Sequence, residues 1–195
     1  MKKPDYKIKS PLWKSALRHW VNHLLFTFGA LFLLLVAAPI FLPVADEETA
    51  ALLDYRLPPL ALILTSLLNW SGYAIATYCE GWHLGSRDQN LVKYNHMTYA
   101  PLRGMWGSLI AQIPIAVLAL AAVLRWVGLA TFQWALSANL IYDASFRWLF
   151  IFCNAEAYPF AFFLPILIQP LLALWGYHNG YRLFSLFRHI VYKKL

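Results

Sequence analysis

Histidine and arginine occur together in two copies of one short motif. Residues 81–87 read Gly-Trp-His-Leu-Gly-Ser-Arg and residues 176–182 read Gly-Tyr-His-Asn-Gly-Tyr-Arg, so both fit Gly-aromatic-His-x-Gly-x-Arg at an offset of 95 residues. Imidazole and guanidinium groups at the end of a membrane helix bind anionic groups such as phosphate and carboxylate. One interpretation is a functional mouth for an anionic solute, formed by His83, Arg87, His178 and Arg182.

The same motif also predicts a packing surface. At about 100° per residue, the two glycines of each copy lie within about 40° of each other on a helix, roughly opposite the histidine and arginine. Small residues four positions apart allow two helices to approach closely. We therefore predict helix packing at Gly81, Gly85, Gly176 and Gly180. In the alternative interpretation, the histidines and arginines only anchor the helix ends among lipid headgroups.

Other arrangements that would support catalysis or a cofactor are incomplete. His19 and His23 have helical i, i+4 spacing, and Cys79 and Glu80 precede the first motif but have no counterparts before the second. The sequence contains no His-Glu-x-x-His, no spaced cysteine pairs and no glycine-rich phosphate loop. We therefore expect no metal, no cofactor and no catalytic residue, and favour a chain that is not an enzyme.

Composition indicates an integral membrane protein. Of the 195 residues, 61% are hydrophobic and 13% are charged, against about 45–50% and about 25% in soluble domains. Such a chain cannot cover its own surface with polar groups, and two cysteines cannot form a disulfide-stabilised scaffold. Four apolar segments are each long enough for the roughly 20 residues that a bilayer requires. They are residues 20–44, 57–78, 106–127 and 158–177.

The distribution of basic residues predicts the orientation. Thirteen of the 16 lysines and arginines lie on one side of these segments, which predicts that this side and both termini are cytoplasmic. We predict an all-α four-helix transmembrane bundle, built from two tandem helical hairpins that form a single domain. We expect it to lie in a bacterial cytoplasmic membrane. Its parts are a basic segment 1–19, hairpin 20–78, cytoplasmic loop 79–105, hairpin 106–177 with an outer interfacial segment 128–157, and a basic tail 178–195.

The stretch from Leu129 to Phe152 is apolar but interrupted by Asp143 and Arg147. Because charges inside a bilayer are costly, we predict an interfacial helix near residues 131–142 on the outer face rather than a fifth span. Elsewhere, three polar side chains fall within apolar segments, where hydrogen bonds between helices are more common than substrate sites. These side chains are Asn69, Gln112 and Gln169.

Residues 85–114 begin with a Gly-x-Arg-Asp-x-Asn-Leu-Val motif, and residues 164–182 form an apolar stretch that ends in Gly-Tyr-x-x-Gly-Tyr-Arg. Both stretches resemble a family of four-span membrane proteins of Gram-positive bacteria, in which the motif follows the second span and the apolar stretch is the closing span. The Asn95-His96 pair departs from the Gly-Arg expected in the first stretch. The resemblance implies the four-span topology and carries no activity with it.

Three functions remain open. The leading hypothesis is a non-catalytic accessory or scaffold subunit of a membrane assembly, homo- or hetero-oligomeric, in contact with anionic lipid headgroups. The first alternative is a small transporter or channel for an anionic solute, and the second is a membrane enzyme or haem protein. We expect no binding to nucleic acid, because no basic cluster is interleaved with solvent-facing aromatic residues.

Overall fold

The computed structural model describes residues 12–41, 59–94 and 96–183. Within these ranges the chain is helical and contains no strand. Short 3-10 helices cover Ala144–Phe146 and Pro159–Phe163. The α-helices are α1 (Leu12–Phe41), α2 (Pro59–Lys93), α3 (Arg103–Ala111), α4 (Ile113–Trp126), α5 (Trp134–Tyr142), α6 (Arg147–Phe152) and α7 (Leu164–Tyr181).

Three stretches of helix are long and apolar enough to cross a membrane, namely residues 12–36, 60–93 and 159–181. The pair of α3 and α4 provides a fourth if its two helices form one span. On α1 the large apolar side chains of Leu25, Phe28, Phe32 and Leu35 are largely exposed, as expected for a surface that faces lipid. Within the described residues, the prediction of an all-α chain with several helices long and apolar enough to span a membrane is confirmed.

α3 and α4 meet at an angle of 53° at Gln112. Pro114 explains the bend, because proline has no N–H group and its ring clashes with the carbonyl four residues earlier, that of Ile110. The backbone N–H of Gln112 still donates to the carbonyls of Ser108 and Leu109, at 3.2 and 3.1 Å. The last turn of α3 is therefore intact, and the chain changes direction directly after it.

α2 is longer than its apolar segment. The apolar pattern ends at Tyr78, but the helix continues through the first glycine motif to Lys93. Its 35 residues extend for about 52 Å, against about 30 Å for a bilayer core. Most of the segment 79–105 predicted as a loop is therefore helix, because the loss of hydropathy marks the end of an apolar segment and not the end of a helix.

The segment between α4 and α7 folds into short helices. Its α5 covers most of the helix predicted near residues 131–142. Asp143 follows this helix, and its side chain is fully buried. From the sequence, acidic residues were expected at or beyond the edges of the apolar segments. The charge is enclosed by protein because the chain turns at Asp143 into the 3-10 helix Ala144–Phe146, which is itself buried.

The chain divides into two compact units, and α1 and α2 contribute residues to both. Of the described residues, the first unit contains 12–21, 74–94, 96–112 and 166–183. The second unit contains 22–41, 59–73 and 113–165. The two glycine motifs belong to the first unit, and the short helices that follow α4 belong to the second.

Asn69 joins three parts of the second unit. Its side-chain amide donates to the carbonyl oxygen of Phe26, at 2.7 Å, and to the hydroxyl oxygen of Ser145, at 2.8 Å. We expect Asn69→Ala to lower the free energy of unfolding by about 1–2 kcal/mol, because two hydrogen bonds of about 0.5–1.5 kcal/mol each are lost. Ser71→Ala is the control, since the Ser71 hydroxyl is exposed and donates only along its own helix. Thermal denaturation in detergent measures both, and equal stability of the two variants would contradict the assigned role.

Candidate functional site

In the first unit α2 and α7 approach each other through their glycines. A Cβ added to Gly81 would collide with the carbonyl oxygen of Ala173 and lie 3.1 Å from the amide nitrogen of Tyr177. A Cβ added to Gly85 would collide with the carbonyl oxygen of Tyr177 and lie 2.7 Å from the amide nitrogen of Tyr181. The backbones of the two helices are thus in direct contact, and neither position has space for a side chain.

The contacts made by the second pair of glycines mirror those of the first. A Cβ on Gly176 would collide with the carbonyl oxygen of Tyr78 and lie 3.1 Å from the amide nitrogen of Trp82, and one on Gly180 would collide with the carbonyl oxygen of Trp82. Each of these contacts is the counterpart of one above at an offset of 95 residues. Contacts advance in the same direction along both helices, so α2 and α7 run parallel where they cross.

A buried carboxylate lies one turn beyond this crossing. Asp88 is fully buried, and the hydroxyl of Tyr177 donates to its Oδ2 at 3.2 Å. Two guanidinium groups also approach it: Arg103 Nη1 lies 3.4 Å from Oδ2, and Arg87 Nη2 lies 3.7 Å from Oδ1. Asp88 therefore holds two arginines beside the crossing.

Asp88 and Arg103 are not among the site residues predicted from the sequence. The available signal was the position of Asp88, three residues after Gly85 and thus close to the packing face of the helix. An acidic residue next to a close helix contact requires a basic partner, because an unpaired buried charge is strongly destabilising. Arg103 could have been proposed as that partner only with knowledge of the turn between α2 and α3.

A cavity of about 380 Å³ opens in the same unit between the first turns of α1 and the end of α2. Its wall carries one lysine, three arginines and one histidine against one acidic side chain, Glu80, which lies 3.7 Å from Arg18. The cavity is therefore a concave cationic surface with two leucines on its wall. The lining residues are Leu12, Lys14, Ser15, Arg18, Glu80, His83, Leu84, Arg87 and Arg103.

The structure brings one of the two predicted His/Arg pairs to this cavity. His83 and Arg87 are exposed and lie on its wall. His178 is not among the lining residues; its Nδ1 lies 3.2 Å from the hydroxyl of Tyr99. Arg182 is exposed, and its backbone N–H donates to the carbonyl oxygen of His178. The pair of the first motif therefore lines a cavity, whereas the histidine of the second motif contacts the hydroxyl of Tyr99.

The three predicted intramembrane polar residues are all buried. Gln112 and Gln169 belong to the first unit, and Asn69 belongs to the second. The side-chain Oε1 of Gln112 has no hydrogen-bond partner among the described residues. His19 and His23 are also buried, and the described residues include no group of three or more potential metal ligands among His, Cys, Asp and Glu.

Comparisons of the chain with protein families, with curated proteins and with solved structures find no match.

The glycine crossing leads to a stability prediction. We expect Gly85→Ala to lower the free energy of unfolding by about 1–3 kcal/mol, because the added methyl collides with backbone atoms that cannot rotate away. Replacement by leucine at any of the four glycines is expected to be more destabilising. The measurement is thermal denaturation in detergent or lipid nanodiscs.

Two control variants separate packing from other effects. Gly72→Ala lies on the same helix but would meet the ring of Phe26 at 3.0 Å, and a ring can move aside. His83→Ala removes an exposed side chain that lies between the two glycines of α2 in the chain and roughly on the opposite face of the helix. We expect both to change stability little, and similar losses for Gly85→Ala and Gly72→Ala would contradict the packing role.

Proposed function

We propose that this chain is a non-catalytic multi-pass protein of a bacterial cytoplasmic membrane that binds a phosphate group in the cationic cavity of its first unit. The proposal rests on one observation, the concentration of Lys14, Arg18, Arg87 and Arg103 around a concave space of about 380 Å³. Glu80 and the buried Asp88 compensate only part of that charge.

The chemistry of the lining favours phosphate. Arginine presents planar N–H donors that match the tetrahedral oxygens of phosphate, and lysine adds a point charge. Leu12 and Leu84 complete the wall with apolar surface, which suits the phosphate of a lipid headgroup next to the first carbons of an acyl chain. The shared ligand chemistry is a phosphate ester or free phosphate, and the two sources are distinguished below.

The arrangement of the helices supports a four-span topology, and the distribution of basic residues favours a cytoplasmic location of both termini. Parallel crossing of α2 and α7 is what two tandem hairpins of equal orientation require, because the second and fourth spans then run in the same direction. The 95-residue offset of the glycine contacts favours an internal duplication. In this topology the cavity opens to the cytoplasmic side, where the excess of basic residues lies and where anionic lipids attract them.

We infer an accessory role in a membrane assembly from these features. A site that holds phosphate can fix the protein to anionic lipid or sense a phosphorylated solute. We therefore propose the accessory function in this more specific form, and we expect the protein to be oligomeric.

The ligand is tested with Lys14→Gln combined with Arg18→Gln. We expect phosphatidylglycerol or inorganic phosphate to raise the thermal midpoint of the unmodified protein, because a ligand that binds only the folded state stabilises it. Each lost charge weakens a surface phosphate contact by about 1 kcal/mol, or roughly fivefold. The double variant should therefore require roughly thirtyfold more ligand for the same shift.

Arg125→Gln is the matched control, since it removes one positive charge from the second unit, where Arg125 donates to the carbonyl of Gln133. Stabilisation by inorganic phosphate identifies a soluble ligand. Stabilisation by phosphatidylglycerol micelles, and not by phosphatidylcholine or phosphate, identifies an anionic headgroup. If no phosphate compound stabilises the protein, or if the double variant and Arg125→Gln respond equally, the proposed site is wrong.

The topology is tested separately by labelling single cysteines after both native cysteines have been replaced by serine. A membrane-impermeant maleimide should modify Glu47→Cys in intact cells. Lys93→Cys, exposed at the end of α2, should react only after the cells are permeabilised. Modification of Glu47→Cys from the cytoplasmic side alone would contradict the topology.

A further inference from the structure

The second unit contains a buried histidine–carboxylate pair that the proposed phosphate site does not use. His23 on α1 and Asp143 after α5 are 120 positions apart in the chain, yet His23 Nε2 lies 3.3 Å from Asp143 Oδ1. Their side chains are 3% and 0% exposed. Two titratable groups removed from water at this distance constrain each other's protonation.

The hydrogen bonds of His23 show which nitrogen holds a proton in every state. Nε2 lies 3.0 Å from the carbonyl oxygen of Tyr142, which can only accept, so Nε2 carries a hydrogen. The hydroxyl of Thr27 donates to the same carbonyl at 2.7 Å. Nδ1 lies 3.3 Å from the hydroxyl of Tyr73, which can donate or accept. His23 is therefore compatible with both the neutral and the cationic form, and Nδ1 is the atom that changes.

Within the part of the chain that the structure describes, the Asp143 carboxyl group lacks hydrogen bonds of the kind that His23 makes. Neither carboxyl oxygen has a hydrogen-bond donor among the described residues, and the approach of His23 Nε2 lacks hydrogen-bond geometry. Burial raises the pKa of the Asp143 carboxyl well above its usual range. Burial lowers the pKa of the Arg147 guanidinium on α6, and the charge of Glu156 opposes that effect.

The groups that face the pair come from three elements. His23 and Thr27 lie on α1, Tyr73 lies on α2, and Tyr142 presents its backbone carbonyl from α5. An ionised Asp143 beside a neutral His23 would be a buried charge without compensation, which is strongly unfavourable. The pair is electrically neutral only when it holds one proton besides the one on Nε2, either on the carboxyl group or on Nδ1.

We propose that His23 and Asp143 together bind one exchangeable proton, and that this proton keeps residues 134–152 packed on α1 and α2. The contacts that would separate are those of Tyr142 with α1, of Ser145 with Asn69, and of Trp148 with Trp70, whose ring centroids lie 5.3 Å apart. Loss of the proton leaves a negative charge among these contacts and favours release of the segment.

The direction of the pH dependence follows from counting protons. The packed pair binds one, whereas in the released state each group has its ordinary pKa, about 3.9 for Asp and about 6.5 for His. Between these values both states bind one proton, so packing does not depend on pH. Above about pH 6.5 the released pair binds none, and packing weakens about tenfold per pH unit. Below about pH 4 the released pair binds a second proton, and packing weakens again.

The test is amide hydrogen exchange of residues 134–152 in the full chain, corrected for the intrinsic pH dependence and compared with α7. In the unmodified protein, protection of this segment should fall about tenfold per unit between about pH 6.5 and about pH 8.5. In Asp143→Asn, which has no carboxyl to ionise, protection should be constant over that range. A pH profile common to the unmodified protein and Asp143→Asn would overturn the proposal.

A second variant keeps the proposal testable if Asp143→Asn does not fold. His23→Gln leaves the carboxyl alone, so its released state loses the proton near pH 4 and protection should decline from about pH 5 upward. Constant protection between about pH 5 and about pH 8 in this variant would also overturn the proposal. The Lys14→Gln and Arg18→Gln variant should retain the unmodified pH profile, because the two proposals depend on different units.

Discussion

The parallel crossing of α2 and α7 through four glycines is the contact on which the first unit depends. Each glycine touches the backbone of the opposite helix, so the separation of the helices is set by main-chain atoms and cannot be adjusted by a change of rotamer. In a membrane, where apolar side chains gain little from leaving lipid, such close backbone contact is a main source of helix association. Two glycines of α3 also lie close to neighbouring helices. A Cβ on Gly104 would collide with the side chain of Tyr177, and one on Gly107 would lie 2.5 Å from Ser15 Oγ.

The crossing also explains where the charged residues of the first unit lie. Tyr177 provides backbone for the contact with Gly85, and its hydroxyl reaches Asp88 from the opposite helix. Because Asp88 is enclosed there, Arg103 and Arg87 are drawn to it, and they form part of the cavity wall with Lys14 and Arg18. A cationic cavity is thus a consequence of a buried acid next to a tight helix contact. In the second copy of the motif the residue that corresponds to Asp88 is Leu183, so that copy has no buried acid at this position to hold its arginine.

The sequence was sufficient to predict the helical class, the apolar segments and an unusual role for the repeated motif, because hydropathy and small-residue spacing are local properties. It was insufficient for features that depend on which elements meet. The end of α2 at Lys93 was missed since a helix that leaves an apolar layer needs no apolar residues to continue. Asp88 and Arg103 were overlooked because their pairing depends on the turn between α2 and α3. His178 was placed at a shared mouth, whereas its position beside Tyr99 depends on a loop that has no clear sequence pattern.

Asp143 shows why a charge in an apolar sequence is ambiguous. The sequence argument placed it outside the membrane because an isolated charge is costly in lipid. Burial within protein has a similar cost, unless a nearby group shares a proton with the charge and makes the pair neutral. His23 lies in the apolar part of α1, and on its own it also has no evident reason to be there. Taken together, the two residues explain each other: the histidine is compatible with the neutral or the cationic form through Tyr73, and the carboxyl group has no other described partner. Two residues that each weaken the apolar pattern therefore become a single neutral unit when the chain brings them together.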